Sequence, residues 1–148
     1  MAVATGSWSE ATTFEERRAR LRLLDTDIHH ELPGLGVLKP HLARKWHLWL
    51  EDGGPSFATR GVAHVGSGRM DDAVNEQDGL CAGDPAWVVE QLMRKYRIDL
   101  GILTGTMYSL NQQRDWRFLT ALASAYNDWQ LETWVRPHRC FKGSIVLA

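Results

Sequence analysis

The stretch that decides the fold is Leu23-Leu24-Asp25-Thr26-Asp27-Ile28-His29-His30-Glu31-Leu32-Pro33. It opens apolar and then alternates. Leu24, Thr26 and Ile28 fall on one side, and Asp25, Asp27 and His29 on the other. A repeat of two is the strand repeat, so residues 21–28 are read as a first strand. One side of that strand carries two carboxylates and an imidazole. An edge strand with a wet face accounts for this. A barrel strand whose inward side chains reach a polar mouth accounts for it better.

Downstream, Asp84-Pro85 is a helix start, with Asp as N-cap and Pro in the first turn. Val88, Val89, Leu92, Met93 and Tyr96 form an apolar stripe, and Arg94, Lys95 and Arg97 close the last turn, where cations suit the helix dipole. Residues 98–104, IDLGILT, follow at once as a short buried strand. A second helix is expected over 114–134, striped by Phe118, Leu119, Leu122, Ala125, Tyr126 and Trp129. A third strand is expected over 141–148, FKGSIVLA. Strands alternating with helices imply a parallel α/β sheet with right-handed crossovers.

Between the first strand and the Asp84 helix lies a long irregular stretch, residues 31–83, which holds nine of the chain's 13 glycines. One helix is expected inside it, with Pro40 in its first turn and Leu42, Trp46, Trp49 and Leu50 at helical spacing. Loops of this length are usually functional or disordered. Residues 1–20 read as a disordered or solvated lead-in, with the charge run EERRARLR at 15–22.

The 148 residues suffice for one domain. A net charge of −1 offers no basic excess for nucleic acid. There is no apolar run of the length a bilayer span requires and no signal-peptide core at the start, so the expected location is cytoplasmic. Cys81 and Cys140 stand outside any CxxC or Cys/His cluster, which fits a reduced compartment. Three strands would leave open sheet edges, and a typical (β/α)8 barrel has about 250 residues. The expectation is therefore a partial domain over 21–148, truncated after the third strand. A small flavodoxin-like fold and a fragment that pairs with a second chain are the alternatives.

The chemistry concentrates at Asp27 and His29. Two residues apart at a strand end, they point the same way and offer one carboxylate oxygen and one imidazole nitrogen, half of a divalent metal site. Zinc accepts that mixture, and manganese or iron would also accept it. A surface acid–histidine hydrogen bond is the plainer alternative.

LLDTDIHHELP resembles the first-strand motif of the amidohydrolase-2 family, which includes aminocarboxymuconate semialdehyde decarboxylase, resorcylate decarboxylases and 2-pyrone-4,6-dicarboxylate hydrolase. That strand usually carries HxH, with an acidic residue replacing the first histidine in some members. AWVVEQLMRKYRIDLGILTG resembles the family's helix and second strand, ALASAYNDWQLETW its AxxxNDW helix, and RCFKGSIVLA its third strand. The resemblance spans residues 21–148. It implies the N-terminal part, about three βα units, of a metal-dependent (β/α)8 TIM barrel. Asp27 would take the first ligand position and His29 the second. Asp25 would match the acidic residue that often precedes them. The cofactor implied is one divalent ion, zinc first, acting on a small carboxylic-acid or cyclic/aromatic substrate by hydrolysis or decarboxylation. The family's later histidine ligands and its acid/base aspartate have no counterpart in this chain.

His30, Glu31, Trp46, Trp49 and Tyr108 are candidates for a substrate pocket. His41, His47 and His64 read as loop imidazoles, and His138 precedes the third strand, away from the catalytic end. Asn127, Asp128 and Trp129 read as helix packing and helix–loop hydrogen bonding. The expected partner is a small molecule, with no nucleic acid and no membrane, and with a homo-oligomer or a complementary C-terminal half compatible with the open sheet. The rival reading is a non-catalytic half-barrel chain that binds a complementary subunit.

Overall fold

Three parallel strands stand side by side in chain order, β1 (Leu24–Ile28), β2 (Leu100–Leu103) and β3 (Phe141–Gly143). The structure, a computed structural model, describes residues 13–51, 73–77, 79–105 and 115–148. The α/β alternation expected from the pattern is present. Tyr108 and His64 lie outside the described residues.

The helices begin where their caps predict. Asp84 accepts a hydrogen bond from the Ala86 N–H at 3.0 Å, and Pro85 opens α3 (Pro85–Val88), which continues as a wider π-type turn over Val89–Arg94. Asp115 accepts from the N–H groups of Arg117 (2.9 Å) and Phe118 (3.3 Å) and starts α4 (Trp116–Gln130), extended by a π-type turn over Leu131–Val135. The stripe on α4 is buried as its spacing requires: Phe118, Leu122, Tyr126 and Trp129 face inward. With Ile28, Val88, Met93, Leu103, Trp134 and Phe141 they form one core against the sheet. A β-carbon at Gly101 would displace the tip of the Ile28 side chain and press on Phe141, so side chains seat closely over the middle of β2.

From its Thr13 cap onward the lead-in is helical. Thr13 and Glu16 form a capping box that starts α1 (Phe14–Arg20). The Arg18 guanidinium then donates to the Tyr96 and Arg97 carbonyls, at 2.8 and 2.6 Å. Those carbonyls lie just past the π-type turn that ends at Arg94, where a cation complements the dipole. One arginine of the run is thus spent inside the molecule.

Boundaries differ from expectation, β1 beginning at Leu24 rather than residue 21 and β2 spanning only Leu100–Leu103. The long loop holds a 3-10 helix (Leu35–His41) with Pro40 near its end, and α2 (Arg44–Glu51) starts only after it. Pro40 therefore does not open α2. The third strand stops at Gly143, because beyond it side-chain amides of α4 take the backbone groups. Gln130 donates to the Ser144 carbonyl (3.0 Å), and Asn127 both accepts from the Val146 N–H and donates to its carbonyl, each at 2.9 Å. This is the helix–loop bonding expected of Asn127. No helix among the described residues is long and apolar enough to cross a membrane.

Candidate functional site

The strand alternation read from the sequence is interrupted at the point that matters. Asp25 pairs with Gly101 and Ile28 pairs with Leu103, so three steps on β1 oppose two on β2. One extra residue on one strand is a bulge, which shifts the phase of everything after it. Paired residues share a face, so Asp25 and Ile28 fall on the side of Gly101 and Leu103. His29, one residue further, turns to the opposite side. Strict alternation is thus broken between Asp25 and Ile28, yet Asp25, Asp27 and His29 all line one cleft beside β1. Asp27 sits in the bulge, its N–H donating to Asp25 Oδ1 at 3.0 Å.

Asp27 and His29 meet at the C-terminal end of β1. His29 Nε2 lies 2.9 Å from Asp27 Oδ1. A carboxylate only accepts, so the imidazole carries its proton on Nε2 in this contact. A third group joins them from β2. The Thr104 hydroxyl donates to the same Asp27 oxygen at 2.9 Å, while the Thr104 N–H donates to the Ile28 carbonyl at 2.9 Å. The side chains of His29 and Asp27 are 53% and 68% exposed, and a contact so open to solvent contributes little to stability, about 0–1 kcal/mol.

The donor set fits a divalent metal in part. A tetrahedral zinc with bonds of roughly 2.0–2.2 Å holds neighbouring ligand atoms about 3.4 Å apart. The observed 2.9 Å is a hydrogen-bond distance, so a cation bound by both atoms would displace the proton between them and part them by about half an ångström. Among the described residues, no group of three or more histidines, cysteines or acidic residues is gathered closely enough to hold an ion. Asp27 and His29 would be two ligands of a larger set.

The other candidates sit elsewhere. A cleft of about 220 Å³ lies between β1 and α3, lined by Asp27, His29, Cys81, Trp87, Leu92 and Tyr96 among others. His30, Glu31, Trp46 and Trp49 do not line it. His30 is fully buried in the core, stacked on Trp129 (5.7 Å between centroids, 8° between planes) and edge-on to Trp134 (4.9 Å). Its Nε2 lies 3.1 Å from the Tyr126 hydroxyl. Burial drives the ring's pKa down to about 4, the Ile28 carbonyl opposing and the His29 charge reinforcing the shift. His30 is therefore neutral at pH 7. Glu31 is also buried, and its carboxylate accepts from the Cys81 N–H at 3.0 Å, tying the far end of the long loop to the strand end. Trp46 and Trp49 pack on Phe118 at 5.2 and 4.4 Å, at the start of α4. Neither cysteine forms a disulfide.

Thr104 is the site residue the sequence reading passed over. Its signal was its place as the last residue of IDLGILT, the strand end that faces Asp27.

No protein-family model matches this chain, and no curated protein matches it. The functional reading therefore stands on the residues and their geometry.

Proposed function

We propose that the chain supplies the first three βα units of an amidohydrolase-type (β/α)8 barrel, and that Asp27 and His29 are the first two ligands of one divalent ion, zinc first. The observation that carries this reading is the 2.9 Å approach of Asp27 Oδ1 and His29 Nε2 at the C-terminal end of β1, the end at which parallel α/β barrels carry their active sites. The chain-order arrangement of parallel strands supports it. So does the exposure of the pair, which leaves it open to a ligand.

Bound there, the ion would polarise a carbonyl or carboxylate oxygen of the substrate and activate a water. Asp27 would supply negative charge and His29 a neutral nitrogen donor. The apolar wall of the neighbouring cleft, Trp87 and Leu92 above all, would exclude water from one side of a small cyclic or aromatic acid. Hydrolysis and non-oxidative decarboxylation both use this arrangement, and the remaining ligands would come from outside the described residues. The second reading, a non-catalytic half-barrel that binds a complementary subunit, is favoured by one observation: Leu24 at the start of β1 and Ile145 and Leu147 past the end of β3 are 56%, 75% and 84% exposed.

The test is metal stoichiometry by plasma mass spectrometry on the purified gene product, with Asp27→Ala and His29→Ala beside it. Each substitution is expected to remove most of the bound metal. Full metal content in both variants would overturn the assignment. A metal-free protein that gains an ion only on binding a second subunit would favour the second reading.

A further inference from the structure

We infer that Thr104 is a positioning residue for the metal-binding pair: its hydroxyl holds Asp27 through Oδ1 and so sets the direction in which the carboxylate meets a divalent cation. The inference rests on the metal reading of Asp27 and His29.

Thr104 is held on every side. It follows β2 directly, and its N–H donates to the Ile28 carbonyl at 2.9 Å, which locks the end of β2 to the end of β1. Gly105 comes next with φ +68, a left-handed turn that suits glycine. The space a β-carbon would need there is taken by the Tyr126 hydroxyl and the His30 ring, so the turn is backed by the core. A hydroxyl on so constrained a backbone has few places to point. It meets two acceptors, Asp27 Oδ1 at 2.9 Å and the Ile28 carbonyl at 3.3 Å. Having one proton, it gives it to the nearer, charged one.

The consequence for Asp27 is asymmetry. Both its side-chain contacts, from His29 and from Thr104, fall on Oδ1. When a cation draws His29 Nε2 away from the carboxylate, the Thr104 bond is the contact that remains to keep the carboxylate from rotating. Without it, Asp27 sits in a bulge at a strand end, more than half exposed, and would have to be ordered by the cation itself. Groups that orient metal ligands from behind typically contribute 10–100-fold to metal affinity.

The experiment is a Co²⁺ titration of the ¹⁵N-labelled protein, following the paramagnetic shifts of the Asp27 and His29 amides, which reads even weak dissociation constants. Thr104→Val, which keeps the shape and removes the proton, is expected to weaken Co²⁺ binding about tenfold with little change in melting temperature. Thr104→Ser is expected to restore most of the affinity. In an Asp27→Ala background, Thr104→Val should change nothing further. If Thr104→Val binds Co²⁺ as the wild type does while Asp27→Ala abolishes binding, Thr104 has no positioning role and the metal site stands. If Asp27→Ala itself binds as tightly as the wild type, the metal reading fails, and the role of Thr104 fails with it. A loss in Thr104→Val that serine does not restore would mark a packing effect and overturn the inference.

Discussion

Lowering the pH from 7.5 to 4 should destabilise this protein through His30 by roughly 3 kcal/mol. The perturbation acts on a ring that is fully buried, stacks offset on Trp129, and shares a hydrogen bond with the Tyr126 hydroxyl. In the unfolded chain the ring protonates with its ordinary pKa of 6.5, and in the folded protein burial holds that value down to about 4. Between those values the unfolded state binds the extra proton. The stabilisation is complete above pH 6.5 and is lost as pH falls toward 4. The interval, 6.5 to about 4, at about 1.36 kcal/mol per unit gives the figure of roughly 3 kcal/mol. The assay is urea unfolding at half-unit steps between pH 7.5 and 4, on the wild type and on His30→Gln, which removes the titration. Other histidines and carboxylates titrate in both proteins, so the difference between the two stability–pH curves isolates His30. The wild-type curve should fall more steeply, the gap closing by a few kcal/mol at the acid end. Parallel curves would refute the reasoning and mean that the ring is hydrated or charged in the folded state.

Two further perturbations test the framework around the site. Asn127→Ala removes both hydrogen bonds that hold Val146. It should cost about 1–2 kcal/mol and speed hydrogen exchange at the Val146 amide, whereas a Val146 amide already unprotected in the wild type would contradict that tether. Gly105→Ala forces a side chain into a left-handed backbone position against Tyr126 and His30, and should lower stability by more than about 1–2 kcal/mol. An unchanged melting temperature would show that the turn is not seated on the core as described.

Much of the architecture was legible locally. The Asp84-Pro85 cap, the stripe from Phe118 to Trp129 and the run IDLGILT each depend on backbone preference and near neighbours, and each formed close to where the pattern put it. The capping box at Thr13 and Glu16 was equally local and was obscured by the arginines that follow it. Asp27 and His29 could be named as a pair because two residues at a strand end are neighbours in any strand.

What only the tertiary structure decided was the phase and the partners. His29 and His30 look alike in the sequence, yet one is half exposed and the other is sealed among aromatic rings, because the bulge opposite Gly101–Leu103 determines which of them turns toward α4. The hydroxyl that holds Asp27 comes from 77 positions away, and the one that contacts His30 from 96 positions away. The third strand ends at Gly143 because α4 offers amides to the backbone beyond it. Side-chain periodicity carries the repeat of an element but not its register against another. A one-residue slip is nearly invisible in sequence and reverses every face, so the register was decided only when the strands packed against each other and against α4.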